Sequence, residues 1–251
     1  NMDKVKLGLL TTLLLGIFIL IGAILAFLVK KKEKVVDFSL GLALGVIAML
    51  IVTDLLPEII ENLGIKYIFV FIICTALGYG MLKLLDKFIP DHEDSSMTKK
   101  ERKDNLIHIG VITSLALVLH NVIEGMAVYS TFLTETNIGL ALTLGIGFHN
   151  IPLGMVIAAT FYQSNDNIWK TLSIIGLVSL STFLGGLIIF LLNMTTFSPL
   201  VLGILLSITL GMLLFIVLGE LIPRLKEATD KKTSYVGLSI GVIILLLSQL
   251  I

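Results

Sequence analysis

Cysteine is almost absent. Cys74 stands alone in the chain, so neither an internal disulfide nor a cysteine-built metal cluster can form; with apolar flanks, it reads as a packing residue. Charge is scarce too. Asp, Glu, Lys and Arg make up 14 % of the 251 residues against 56 % hydrophobic, whereas a soluble domain carries about 25 % charge. With a mean hydropathy of +1.03, no stretch remains for a separate soluble domain beside the apolar segments. The phosphate-cradling pattern Gly-x-x-x-x-Gly-Lys-Ser/Thr is missing, which argues against ATP drive within this chain. His-Glu-x-x-His is missing as well, which argues against a zinc protease. No nucleic-acid partner and no bound cofactor are expected.

Long apolar runs are what the chain has instead. A membrane span needs about 20 mostly apolar residues. That ruler gives eight: Leu7–Val29, Phe38–Ile60, Tyr67–Leu85, Leu106–Thr131, Asn137–Tyr162, Ile168–Leu192, Pro199–Leu221 and Ser234–Ile251. The first is too long for a signal-peptide core and is expected to stay as a span. The runs are long and do not alternate, so helices rather than a barrel are expected. Glycines such as Gly41, Gly45, Gly185 and Gly211 are spread through the spans and would let helices approach closely. The fold class is therefore all-α, a polytopic membrane protein of eight transmembrane helices in one integral domain.

Basic residues set an orientation. Of the 18 Lys and Arg residues, all but Lys4, Lys6 and Lys66 fall in the first, third, fifth and seventh connections. Those connections are expected on the cytoplasmic side, with both termini extracytoplasmic. The longest connection, 87–105, carries Asp91-His92-Glu93-Asp94 and Lys99-Lys100-Glu101-Arg102-Lys103; it is expected to be a polar cytoplasmic loop. Asn193-Met194-Thr195 matches a glycosylation sequon but lies against the membrane, and is taken as chance.

Two stretches in the middle of the chain are near-copies. His120-Asn121-Val122-Ile123-Glu124-Gly125-Met126-Ala127 lies in the fourth span, and His149-Asn150-Ile151-Pro152-Leu153-Gly154-Met155-Val156 in the fifth. An ionisable residue at the centre of a span costs about 2.5–3.5 kcal/mol on insertion scales, so a duplicated set needs a reason. His120 and Glu124, at i and i+4, share one helix face. Neutral imidazole and carboxylate suit zinc and other divalent first-row metals, and His149 can add a second imidazole. Asn121 and Asn150 offer amide oxygens as weak ligands, partners to a ligand, or interhelical bonds. Pro152 frees the carbonyl of Phe148 and could serve as a hinge. Gly125 and Gly154 are expected to bring the two helices together.

A second echo lies further out. Thr53-Asp54-Leu55-Leu56-Pro57-Glu58 ends the second span and Leu218-Gly219-Glu220-Leu221-Ile222-Pro223 the seventh. Each pairs a carboxylate with a proline. The duplicated centre and this echo imply an inverted repeat: residues 1–86 as a first three-helix unit, 106–163 as a central pair carrying the metal site, and 168–251 as a second three-helix unit. A cation would come in past Asp54 and Glu58 and leave near Glu220; His92, Glu93, Asp94 and His108 could receive it on the cytoplasmic side, although the first three read better as a solvated loop.

These motifs, with the topology, resemble the Zrt/Irt-like protein (ZIP) family of divalent-metal transporters, bacterial type, over essentially the whole chain. The resemblance implies a 3+2+3 helix arrangement and transport without a resident cofactor. It implies His120, Glu124 and His149 as ligands of the primary site, and Asn121 and Asn150 as members of an adjoining one. It also implies a homodimer in the cell membrane, the inner membrane for a bacterial member. Two positions depart from the family pattern. Leu153 stands where bacterial members usually have glutamate. In Ser181-Thr182-Phe183-Leu184-Gly185, Thr182 stands where many relatives have a carboxylate, and Ser181 and Thr182 are retained as pathway candidates. One metal rather than two is therefore expected, with water or amide completing its shell.

The leading functional reading is a transporter of Zn²⁺ or a similar ion (Cd²⁺, Fe²⁺ or Mn²⁺) into the cytoplasm. Its histidines must be neutral to bind, so transport should fall below about pH 6.5. A metal sensor or degenerate carrier is the alternative that Leu153 and Thr182 motivate. An intramembrane metalloenzyme is third, because Glu124 would have to be both ligand and base.

Overall fold

The computed structural model describes residues 2–28, 32–88, 99–165, 167–195 and 198–250. His92, Glu93 and Asp94, read as part of a solvated loop or as receivers of metal, lie outside the described residues. What is described is helical, and eight segments are long and apolar enough to cross a membrane. These are Asp3–Leu28, Lys34–Leu63, Ile65–Asp86, Leu106–Thr134, Thr136–Tyr162, Ile168–Leu191, Pro199–Glu227 and Lys231–Ser248. The helices are α1 (Met2–Leu28), α2 (Lys32–Leu50), α3 (Leu56–Leu63), α4 (Ile68–Asp86), α5 (Lys99–Thr134), α6 (Thr136–Asn165), α7 (Ile168–Leu191), α8 (Pro199–Phe215), α9 (Ile222–Glu227) and α10 (Lys231–Ser248).

Two of the spans are not uniform helices. Between α2 and α3, residues Ile51–Leu55 form a π-helical turn, and between α8 and α9, Ile216–Leu221 form another. The cause is local in both cases. Pro57 cannot donate to the carbonyl of Thr53, nor Pro223 to that of Gly219. The ladder widens, and Leu56 N–H bonds Ile51 O while Ile222 N–H bonds Val217 O. Such bulges are frequent at functional sites; here one carries Asp54 and the other Glu220. Pro152, by contrast, sits inside α6 without ending it.

The polar connection is shorter than its composition suggested. Residues 99–105 belong to α5, because Lys, Glu and Arg are good helix formers that extend a helix already nucleated in the span. Residues 89–98 lie outside the described residues.

Packing follows close backbone contacts. The Cβ that Gly125 lacks would stand 1.8 Å from Thr182 O, and that of Gly185 2.0 Å from Val122 O, so α5 and α7 cross backbone to backbone. Gly154 faces Ile19 O at 2.0 Å and Gly22 faces Ile151 O at 1.9 Å, which does the same for α6 and α1. Gly125 and Gly154 therefore do not join α5 to α6; each seats its helix on a helix from outside the central pair. Sequence spacing places a glycine on a helix face, but only the tertiary arrangement selects the neighbour. α2 crosses α10 through Gly41 and Gly237, and α4 crosses α8 through Gly78 and Gly211.

Burial sorts the spans. The most apolar window of the α2 span is 78 % buried and that of α4 only 11 %. Phe69, Ile72, Ile73 and Leu77 of α4 face outward, as a lipid-facing rim requires. The central core gathers Ile47, Ile112, Val156, Ile157, Ile175 and Leu213 from α2, α5, α6, α7 and α8.

Candidate metal centre

α5 and α6 are separated only by Glu135 and pack as a hairpin. Their middles bring His120, Glu124 and His149 together. His120 Nε2 lies 2.8 Å from Glu124 Oε1, and His149 Nε2 lies 3.0 Å from the same oxygen. One ligand atom from each of the three lies within 4.8 Å of the others. The histidines are 4 % and 3 % exposed. Two imidazoles on one carboxylate oxygen form the set a divalent cation would take over, replacing bridging protons.

The surrounding polar atoms point the same way. Among the described residues, nothing hydrogen-bonds Glu124 Oε2, Asn121 Oδ1, or either amide atom of Asn150. Asn121 Nδ2 reaches Val178 O at 3.4 Å, tying α5 to α7. Asn150 is fully buried. Buried groups left without partners are costly, and Asn121 and Asn150 each follow a histidine of the trio directly in sequence.

A second cluster lies along α5, roughly 18 Å from the first at 1.5 Å per residue. His108 Nε2 is 2.7 Å from Asp86 Oδ1 and 3.4 Å from Glu220 Oε1. His108 and Glu220 are buried, while Asp86, at the end of α4, is partly open. The sequence had offered His108 and Glu220 separately; Asp86 was passed over as the border of a span. The signal was there, a carboxylate closing an apolar run, but nothing local says that it faces α5 and the α8–α9 turn.

At the opposite end, Asp54 lines a cavity of about 290 Å³ together with His149, Leu142, Ser248 and Gln249. Glu58 is half-buried on α3, directly after the π turn that carries Asp54. Ser181 and Thr182 are buried beside the centre, with Thr182 O against Gly125. Their hydroxyls turn elsewhere. Ser181 donates to Val178 O, and Thr182 donates to Thr12 O at 2.9 Å in α1.

A family model described as ZIP Zinc transporter matches residues 86–249, which hold both clusters. The chain belongs to the ZIP zinc transporter family. It is also 30 % identical over 278 residues to the zinc transporter ZupT of Clostridium perfringens, covering 100 % of this chain and 98 % of that protein. It is 31 % identical over 266 residues to ZupT of Oceanobacillus iheyensis (100 % and 99 % covered) and 33 % over 264 residues to ZupT of Chlorobium luteolum (100 % and 99 %). As a ZIP member the chain is a multi-pass membrane transporter of divalent metal and not an enzyme.

Within the ZIP framework, the two departures have structural settings. Leu153 is 1 % exposed and part of the main apolar cluster, so the position is filled with hydrocarbon. Thr182 offers a hydroxyl already committed to α1.

Proposed function

We propose that the chain moves Zn²⁺, or a cation of similar chemistry, into the cytoplasm through one site formed by His120, Glu124 and His149. The observation that carries this reading is the shared approach of both imidazoles to Glu124 Oε1. Two nitrogens and one oxygen supply three of the four ligands zinc prefers; water or an amide oxygen from Asn121 or Asn150 completes the shell. One cation rather than two fits this chain, since Leu153 removes a bridging carboxylate and Thr182 contributes none. The relatives named for zinc support zinc as the cargo. Cd²⁺, Fe²⁺ and Mn²⁺ are the competitors to test.

The path runs past Asp54 and Glu58, pauses at the central trio, and leaves through Asp86, His108 and Glu220; of these, His108 shares α5 with His120 and Glu124. The positive-inside pattern supports extracytoplasmic termini. The 3+2+3 inverted repeat is supported by the pairing of contacts: α1 on α6 matches α7 on α5, α2 on α10 matches α8 on α4, and the two π turns match each other. Inverted repeats let one unit rock against the other about a midplane site. We place the protein in the inner membrane as a homodimer.

Flux of Zn²⁺, Mn²⁺, Fe²⁺ and Cd²⁺ into proteoliposomes tests the reading, with His120→Ala and His149→Ala beside the parent. Both substitutions should abolish flux. Retained flux in both would remove the trio from the path. Metal binding by the parent without flux would favour the sensor or degenerate carrier, a reading that the hydrocarbon at Leu153 motivates.

A further inference from the structure

Gln249 has no part in the path just described, yet it sits on the cavity that joins Asp54 to His149. It is the C-cap residue of α10, its own N–H bonding Leu247 O. Its side chain crosses to the π turn that follows α2. There Nε2 donates to Thr53 Oγ1 and to Asp54 Oδ1. Thr53 is itself anchored, donating to Met49 O at 2.8 Å. The carboxylate a cation would meet before His149 is thus held by an amide from another helix.

The mechanics of this contact are uneven. α2 and α10 are fixed backbone to backbone at Gly41 against Ser234 and at Gly241 against Leu42. Beyond that crossing, the ladder of α2 opens into the π turn, where Pro57 leaves Thr53 O without its usual donor. The stretch carrying Thr53 and Asp54 is therefore the yielding end of a rigid pair, and Gln249 spans it. A carboxamide is also two-sided: Nε2 donates to a carboxylate, and Oε1 accepts a cation once the group turns over.

We propose that Gln249 is the latch of this mouth: its amide holds Asp54 when no cation is present and gives way, turning its oxygen inward, as a divalent cation docks on Asp54. This rests on the transport path proposed above. Asp54 receives the cation; Gln249 acts as a positioning residue that sets how often the mouth is open. The same pair then favours a cation that accepts oxygen ligands at the mouth before the histidine-rich centre.

The test uses the full chain in sealed proteoliposomes. Cys74→Ser removes the native thiol, and Ala141→Cys places one on the cavity wall. A membrane-impermeant methanethiosulfonate reports how often the mouth opens, and zinc flux is read in parallel as KM and kcat. A hydrogen bond to a charged acceptor sustains roughly a tenfold bias, so Gln249→Leu should label about tenfold faster and raise kcat/KM. Gln249→Glu, close in size and still polar, should label faster too, because its carboxylate repels Asp54, and should lower KM. In an Asp54→Asn background the effect of Gln249→Leu on labelling should vanish. Labelling unchanged within about twofold in both Gln249 variants, or an equal effect in the Asp54→Asn background, overturns the latch. A parent without zinc flux whose labelling follows the expected pattern sinks the transport path and leaves the latch standing.

Discussion

Gly125→Ala tests the architecture most sharply, because its effect follows from a single distance. The added methyl would stand 1.8 Å from Thr182 O, 2.7 Å from its carbonyl carbon and 2.9 Å from its Cα. All three are backbone atoms, so no side chain can swing aside. Ordinary contact begins at 3.4 Å, and α5 and α7 must part by about 1.6 Å to reach it. Overpacking of this kind costs about 1–3 kcal/mol. For a chain of this size each kcal/mol moves the melting temperature by roughly 2–4 °C, so a fall of roughly 2–12 °C is expected in detergent. Function should suffer more than stability. Glu124 is the adjacent residue, and metal ligands tolerate about 0.2 Å, so zinc flux should drop by at least about tenfold as Glu124 leaves His149. Gly80→Ala and Gly176→Ala are the controls, since nothing lies within 4 Å of a methyl at either position. Differential scanning fluorimetry and proteoliposome flux decide the matter. A Gly125→Ala protein that melts and transports like Gly80→Ala would refute both the close crossing and its coupling to the site.

Three further outcomes are expected. Leu153→Glu should tighten zinc binding or change metal preference in competition flux, because it adds a carboxylate beside the trio; no change in either would undercut the significance given to that departure. Glu220→Gln should lower the maximal rate while leaving equilibrium zinc binding at the central trio intact, as calorimetry on the purified protein would show; equal losses in both would move Glu220 out of a downstream role. Asp230 caps α10 by accepting from Thr233 N–H and pairs with Lys34 at 3.2 Å, and these contacts hold its carboxyl down to about 2. A depressed folded-state value contributes stability that is present above the ordinary carboxylate range and lost as pH falls through about 2. Asp230→Ala should therefore melt below the parent at neutral pH, with the gap closing between about pH 4 and 2; a gap independent of pH would assign the effect to packing.

Much of the fold was legible because a membrane imposes a one-dimensional rule. A backbone without water must bond to itself over about 20 residues, so hydropathy alone found eight spans, each lying on one of the eight apolar helical segments. The grouping of His120 with Glu124 was also local, since a helix puts i and i+4 on one face. The π turns were not read, although their prolines were noticed. A lost donor says that a ladder is disturbed, and only the neighbours decide whether it bends, breaks or widens. Gly125 and Gly154 were recognised as points of close approach but assigned to the wrong partners.

What the sequence determined by itself was therefore everything set by periodicity and solvation: the all-helical class, the number of spans, and which polar residues are forced into hydrocarbon. The tertiary structure alone decided which of those residues meet. His149 reaches Glu124 because α5 and α6 fold back at Glu135; Asp86 reaches His108 because α4 ends beside α5 and the α8–α9 turn; Gln249 reaches Asp54 because α10 lies on α2. Contacts between segments distant in sequence depend on the sum of many weak packing terms across the whole bundle, and no window of residues contains that sum.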